Sequence, residues 1–214
     1  MTQVALHDPT SLGTRAASTW KTRLGWAATD DVAVTGYEVQ VRRGSGTWTG
    51  AYLGAATART LSLPLGRVSV RVRATDAAGN WSKWRSITRT TIVTDLTAVA
   101  TRSHTSSWAS STARAAAWSG TRYVTTAIGQ RLSVKVDGQG LALVAQQGTS
   151  GGRIAIVLDG AQVAVVDLAS SSTRDRRVVW STTWPTRGLH TVEVRTLDSP
   201  GADTVWLDAL LTER

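Results

Sequence analysis

The sequence predicts an all-β chain built as two β-sandwich domains in tandem, and three observations carry that prediction. Apolar and polar residues alternate with a period of two in several short runs, most clearly where Val68, Val70 and Val72 alternate with Ser69, Arg71 and Arg73. Ala, Val, Thr, Gly and Ser dominate, which suits sheets because β-branched side chains pack well on a pleated surface, and no window sustains a helical period. At 214 residues and 42% apolar content, the chain has material for two cores of about 100 residues each. Phe is absent and Trp occurs 10 times, so indoles and aliphatic side chains must fill both interiors.

In the first domain, residues 1–95, a polar lead-in precedes a strand at Trp20–Trp26. Asp30 and Asp31 sit in a turn, and Gly36–Arg43 forms a second strand with Tyr37, Val39 and Val41 on one face. Gly44-Ser45-Gly46 turns the chain into Thr47–Leu53; Thr60–Leu63 follows, closed by Pro64. The Val68–Thr75 strand then runs through a turn at Asp76–Asn80 into Trp84–Val93. Short strands at regular spacing, separated by turn residues, describe a sandwich.

The runs LGWAATDDVAVTGYEVQVRR and VSVRVRATDAAGNWS together resemble the fibronectin type III module of secreted bacterial proteins. Trp26 matches the buried tryptophan of that family's second strand and Tyr37 the aromatic of its third. The family's corner tyrosine should fall near Val68, where a valine cannot make the tying hydrogen bond, so a looser corner is expected. The resemblance implies a spacer or adhesion module without catalytic activity.

The second domain, residues 96–214, opens on a small polar segment at 95–117, which reads as a connector or edge segment with a possible helical turn in Ser110–Ala117. Strands are expected at Arg122–Thr126, Leu132–Val136, Leu141–Gln146, Arg153–Leu158, Gln162–Leu168, Arg177–Thr183, His190–Thr196 and Thr204–Leu211. Asp159-Gly160 between two alternating apolar runs is a strong hairpin signal, because both turn positions need a positive φ. About eight antiparallel strands over this length imply a jelly roll. Ile156–Gly160, Val165–Leu168, Gly188–Thr191 and Trp206–Ala209 give this half a pattern that resembles galactose-binding-like carbohydrate-binding domains of secreted actinobacterial proteins. That resemblance implies a carbohydrate-binding sandwich.

Charge and composition narrow the function classes. The formal charge of +9 is nearly all arginine, and it suits either attraction to polyanions or the charged solvent faces that strands require. The arginines are scattered singly, which favours solvent faces over nucleic acid as a partner. Without cysteine there are no disulfides or cysteine-based metal sites, as in a cytosolic protein or in extracellular bacterial domains large enough to fold unstapled. The N-terminal residues carry no signal segment, and no apolar run approaches a membrane span. An extracellular or cell-surface location therefore implies that the chain is part of a larger precursor.

Gly148-Thr149-Ser150-Gly151-Gly152 formally matches a G-x-S-x-G nucleophile pattern, with Asp159 or Asp167 and then His190 downstream. That motif works on a strand-to-helix turn, whereas here it joins two strands, so no catalytic residue is expected. His7 and His104 are the other histidines, which leaves no histidine cluster with metal-ligand spacing, and His190 reads as structural. Asp30, Asp31, Asp137, Asp159, Asp167 and Asp208 offer oxygens, but no D-x-D-x-D-G loop exists; no cofactor is expected, and a structural Ca2+ stays open. Glu38, Glu193 and Glu213 are the only glutamates and do not suggest a glycosidase pair. Asn80-Trp81-Ser82 is a formal glycosylation sequon that reads better as a turn.

Among the tryptophans, Trp180 and Trp184 share parity with Val178 and are expected in the core, whereas Trp108 and Trp118 lie in polar sequence and are expected to be more exposed. Trp118, Arg122, Arg153 and Arg187 are the candidate ligand contacts. The expected function is a non-catalytic accessory region whose second domain binds polysaccharide or a cell-wall glycan. The alternatives are an architectural spacer holding a neighbouring catalytic domain, or polyanion binding.

Overall fold

The computed structural model describes residues 3–30, 33–98, 102–112, 116–201 and 203–214, and it is all-β. The chain divides into two compact units, Met1–Thr10 with Ser18–Thr91 and Ser11–Ala17 with Ile92–Arg214. Asp31 lies outside the described residues, as do the side chain of His7 and positions 113–115 of the expected helical turn.

Unit 1 contains β1 (Gln3–Leu12, which continues into unit 2), β2 (Thr19–Ala27), β3 (Val34–Arg43), β4 (Thr49–Gly54), β5 (Ala58–Pro64), β6 (Gly66–Asp76) and most of β7 (Arg85–Asp95). They form two ladders, β1-β2-β5 and β4-β3-β6-β7. The polar lead-in of the sequence reading is thus a strand, which pairs with β2. Alternation puts Trp20, Leu24 and Trp26 of β2, Tyr37 and Val39 of β3, Leu63 of β5 and Val68, Val70 and Val72 of β6 in the interior. The Trp26 ring lies 6.4 Å from Tyr37 and 5.5 Å from Tyr52, and its indole N–H donates to Ala56 O at 2.8 Å. Asp76 shapes the turn after β6: its Oδ1 accepts from the amides of Ala78 (2.9 Å) and Asn80 (2.8 Å), the side-chain-to-backbone bonding by which Asp and Asn favour turns. Asn80 is engaged in the same turn through its side-chain amide, which donates to Asp76 Oδ2 at 2.9 Å.

Unit 2 contains β8 (Arg102–His104), β9 (Ala109–Ser111), β10 (Arg122–Thr125), β11 (Arg131–Gln147), β12 (Arg153–Leu158), β13 (Ala161–Asp167), β14 (Arg174–Thr196) and β15 (Val205–Glu213). Two antiparallel sheets run β8-β11-β14-β12-β13 and β9-β10-β15-β11-β14. Both contain β11 and β14, because those strands bend and pass from one sheet to the other, a device by which sandwiches turn corners. The expected breaks within them, after Val136 and after Thr183, are these bends rather than strand ends. Their register shifts between Gly138 and Gly140. A Cβ on Gly138 would meet Thr212 Cγ2 at 2.6 Å and Glu213 O at 2.9 Å, so the corner needs a residue without a side chain.

The core lies between the sheets. Leu132, Val134, Val136, Ile154, Ile156, Val192 and Val194 face Tyr123, Leu141, Leu143, Ala145, Val205, Leu207 and Leu210, with Trp180 and Trp184 packed against them. The segment expected as a connector contributes to this core: Leu96, Trp108 and Ala117 are all buried, and 109–111 is a strand. Apolar anchors spaced along small polar residues do not register as a periodic pattern. At the Asp159-Gly160 hairpin both residues have positive φ, 50° and 89°, the geometry a two-residue turn imposes.

Candidate functional site

Three of unit 1's tryptophans have arginines over their rings. Arg71 lies over Trp48 (4.3 Å) and Trp84 (4.2 Å), Arg73 over Trp84 (4.6 Å) and Trp81 (4.4 Å), and Arg42 over Trp48 (4.6 Å). Glu38 accepts from Arg73 Nε at 2.7 Å, and Gln40 accepts from Arg71 Nε at 2.9 Å, which fixes the guanidinium planes. The ladder follows from strand parity, which places Arg71 and Arg73 on the polar face of β6. Trp48 and Trp84 each have two guanidinia within 4.6 Å of their rings, which makes them poor platforms for a sugar or a base, so the ladder is structural. Arg71→Ala is expected to cost about 1 kcal/mol, read as a lower urea midpoint with unchanged slope; an unchanged midpoint would contradict the assignment.

In unit 2, charged, polar and aromatic groups converge where β10, β15, β11 and the start of β14 meet. Tyr123 and Leu207 are opposite one another and point into the core, so their neighbours Arg122 and Trp206 take the other face. The Arg122 guanidinium lies 5.6 Å from the Trp206 ring, donates to Gln146 Oε1 and pairs with Asp175 at 3.6 Å. Trp206 is half-buried. A Cβ on Gly148 would come within 4.0 Å of Trp206 Cζ3, 3.7 Å of Gln146 Nε2 and 3.9 Å of Thr173 Oγ1, so this glycine borders the indole and its polar neighbours. The cluster combines an aromatic ring with planar, multiply hydrogen-bonding side chains and a hydroxyl, the groups that fit a pyranose.

Beside it runs the 116–121 loop. The Trp118 amide donates to both carboxylate oxygens of Asp208, at 2.9 and 3.1 Å, and Arg176 Nη1 donates to Ala116 O at 2.6 Å. Asp208 is 3% exposed, and burial pushes its carboxyl up to about 6; the Trp118 amide opposes the shift, the charge of Asp95 adds to it, and Arg176 and Arg122 oppose it. Burial also works against ionisation of Asp95, but hydrogen bonds from Ser119, Thr97 and Thr121 outweigh it and hold that carboxyl below its usual range.

Of the four candidate contacts, Trp118 and Arg122 meet here, both beside Asp208. Trp118 is half-buried, and the Arg122 side chain is only 11% exposed, on a strand rather than in an open loop. Arg153 is exposed on β12 in the other sheet. Arg187 sits on β14 in a bidentate pair with Asp137, nine residues from Gln146 along β11 and therefore roughly 30 Å of strand away. Trp108, expected at the surface, is 4% exposed and packs edge-on to Tyr123 at 6.2 Å. Trp206, Gln146, Asp175 and Asp208 escaped the sequence reading as contacts. The signal for Asp208 was an acid inside the apolar run VWLDALL.

The Ser–Asp–His order does not assemble. Ser150 precedes β12, while Asp159 follows it, so the six-residue strand separates them by roughly 20 Å. His190 Nδ1 bonds Asp159 Oδ2 at 2.7 Å, and its ring stacks on Trp184 at 3.8 Å and 6°. Among the described residues no group of His, Cys, Asp and Glu side chains is arranged to hold a metal, and no helix is long and apolar enough to cross a membrane.

No family model and no curated protein matches the chain. Among solved structures it is similar to a family two carbohydrate esterase from Cellvibrio japonicus at 15% identity and TM-score 0.45, covering 58% of this chain and 34% of the esterase. The CBM36-1 domain of a multidomain xylanase from the hindgut metagenome of Trinervitermes trinervoides matches 56% of the chain over 94% of its own length, at 11% identity and TM-score 0.42. A family 35 carbohydrate-binding module from Clostridium thermocellum gives the same identity and TM-score over 98% of its length. The chain thus spans about a third of the esterase. All three scores lie below 0.5, and the fold rests on the strand pairing itself.

Proposed function

We propose that unit 2 is a non-catalytic binding module for carbohydrate or an anionic cell-surface polymer, acting outside the cell, and that unit 1 is a fibronectin type III-like spacer. The observation that carries the binding assignment is the cluster around Trp206, where Arg122, Gln146, Asp175 and Thr173 set planar donors and acceptors beside a half-buried indole. Supporting the spacer are the three- and four-stranded ladders of unit 1 and its buried Trp26 and Tyr37. Against nucleic acid stands the Trp–Arg ladder, whose guanidinia cover indole faces that bases would need for stacking.

A glycan array followed by isothermal titration of the full chain with neutral and acidic polysaccharides tests this. One ligand class is expected to bind, and Trp206→Ala and Arg122→Ala are each expected to weaken it about tenfold or more, the scale of a lost stacking or charged contact. Silence across the array, or binding that both variants leave intact, overturns the assignment.

A further inference from the structure

Asp208 is the most buried charged group among the described residues of unit 2, and both of its carboxylate oxygens accept from a main-chain amide, that of Trp118. A carboxylate taking that amide with both oxygens is a charge-assisted anchor, about twice as strong as a neutral one. The segment it anchors, 116–121, leads directly into Arg122 at the start of β10 and is tied at two further points, by Ser119 and Thr121 on Asp95 and by Arg176 on Ala116 O. The ties to Asp208, Asp95 and Arg176 connect the loop to β15, β7 and β14, and two of them end on carboxylates; Thr121 Oγ1 also meets Thr97 Oγ1 at 2.9 Å, just beyond β7.

We propose that Asp208 is a positioning residue: its carboxylate holds the 116–121 loop through the Trp118 amide, so that protonation loosens the loop and weakens the ligand site beside it. The second half of this statement rests on the binding role assigned to unit 2. The charged groups facing Asp208 among the described residues are Asp95 from β7, Arg122 from β10 and Arg176 from β14, with Asp175 of β14 paired to Arg122. Burial and Asp95 favour the neutral acid, while the Trp118 amide and the two arginines favour the ion, and the balance brings the change to about pH 6. The linkage has a definite sign. The raised carboxyl binds its proton more tightly in the folded chain, so the stability due to that proton is complete below the ordinary carboxylate range and disappears as pH rises through about 6. The ordered loop and the protonated acid are therefore opposed, and as pH falls ligand affinity falls with it even as this group's own contribution to stability increases.

The test is an NMR titration of the full chain between pH 4.5 and 7.5. The Trp118 amide is expected to shift with a midpoint near 6, and its exchange protection, corrected for intrinsic rates, to fall about tenfold on the acid side. Asp208→Asn keeps an acceptor but no charge, and it is expected to flatten both responses. Asp95→Asn removes the neighbouring charge and is expected to move the midpoint down; this variant and the wild-type titration decide the matter even where Asp208→Asn fails to fold. A Trp118 amide that does not titrate, or that titrates unchanged in both variants, overturns the proposal. Titrating any polysaccharide that the array identifies at pH 5 and 7.5 is expected to show weaker binding at pH 5 in the wild type and equal binding in Asp208→Asn. Absence of binding at both pH values would remove the carbohydrate assignment, while the amide titration would still decide the role of Asp208 in the loop.

Discussion

Gly151→Ala is expected to destabilise unit 2 by about 3 kcal/mol or more, at the upper end of what overpacking costs, which lowers its melting endotherm by roughly 10 °C. An added Cβ would lie 2.1 Å from Leu168 O and 2.4 Å from Leu168 C, and both are main-chain atoms that cannot rotate away. The surrounding backbone is closely bonded: Gly151 N to Gly148 O at 3.0 Å, Gly148 N to Leu168 O at 3.1 Å, Leu168 N to Gly152 O at 3.1 Å and Thr204 N to Ser150 O at 2.9 Å. Relieving the clash means giving up several of these bonds together. Scanning calorimetry of the full chain reads the result, and an unchanged endotherm would show that the loop and Leu168 can separate at little cost.

Leu143→Ala is expected to cost 2–5 kcal/mol, the range for removing a fully buried leucine from a packed core. Leu143 is 0% exposed and stands at the centre of the second sheet, opposite Trp180 on β14 and Leu210 on β15. Hydrogen-bonded strands on both sides prevent the backbone from collapsing into the space, so the cost should fall in the upper half of the range. The urea midpoint is expected to drop with the slope unchanged. Val165→Ala, at a side chain 45% exposed, serves as the control and should leave the midpoint nearly where it was. Equal effects from the two substitutions would mean that the core is not where the sheets place it.

Local chemistry made much of the fold legible. Period-two alternation located β3, β6, β12 and β13, and Asp159-Gly160 announced its turn because few residue pairs tolerate two positive φ angles. The bent strands were harder to read. Glycine inside β11 resembles a turn in sequence, and only the nearby Thr212 and Glu213, some seventy residues further along the chain, show why glycine is there. The candidate site was legible to the extent that a single residue can signal it, as at Trp118 and Arg122. Its other members, Gln146, Asp175 and Trp206, are brought to Arg122 by pairings between distant strands, which no short window contains. Trp108 misled for the opposite reason: its flanking serines are exposed at the surface while its ring points inward.

The passage of β11 and β14 through both sheets of unit 2 has a kinetic corollary. Each layer owns part of the other's backbone, so neither half of the sandwich can mature alone and then wait for a partner. Contacts such as Leu132 with Val194 and Leu143 with Leu210 close loops of more than sixty residues before either yields a buried surface. A chain wired in this way reaches its native form late and as a whole, on the millisecond-to-second scale of non-local β topologies.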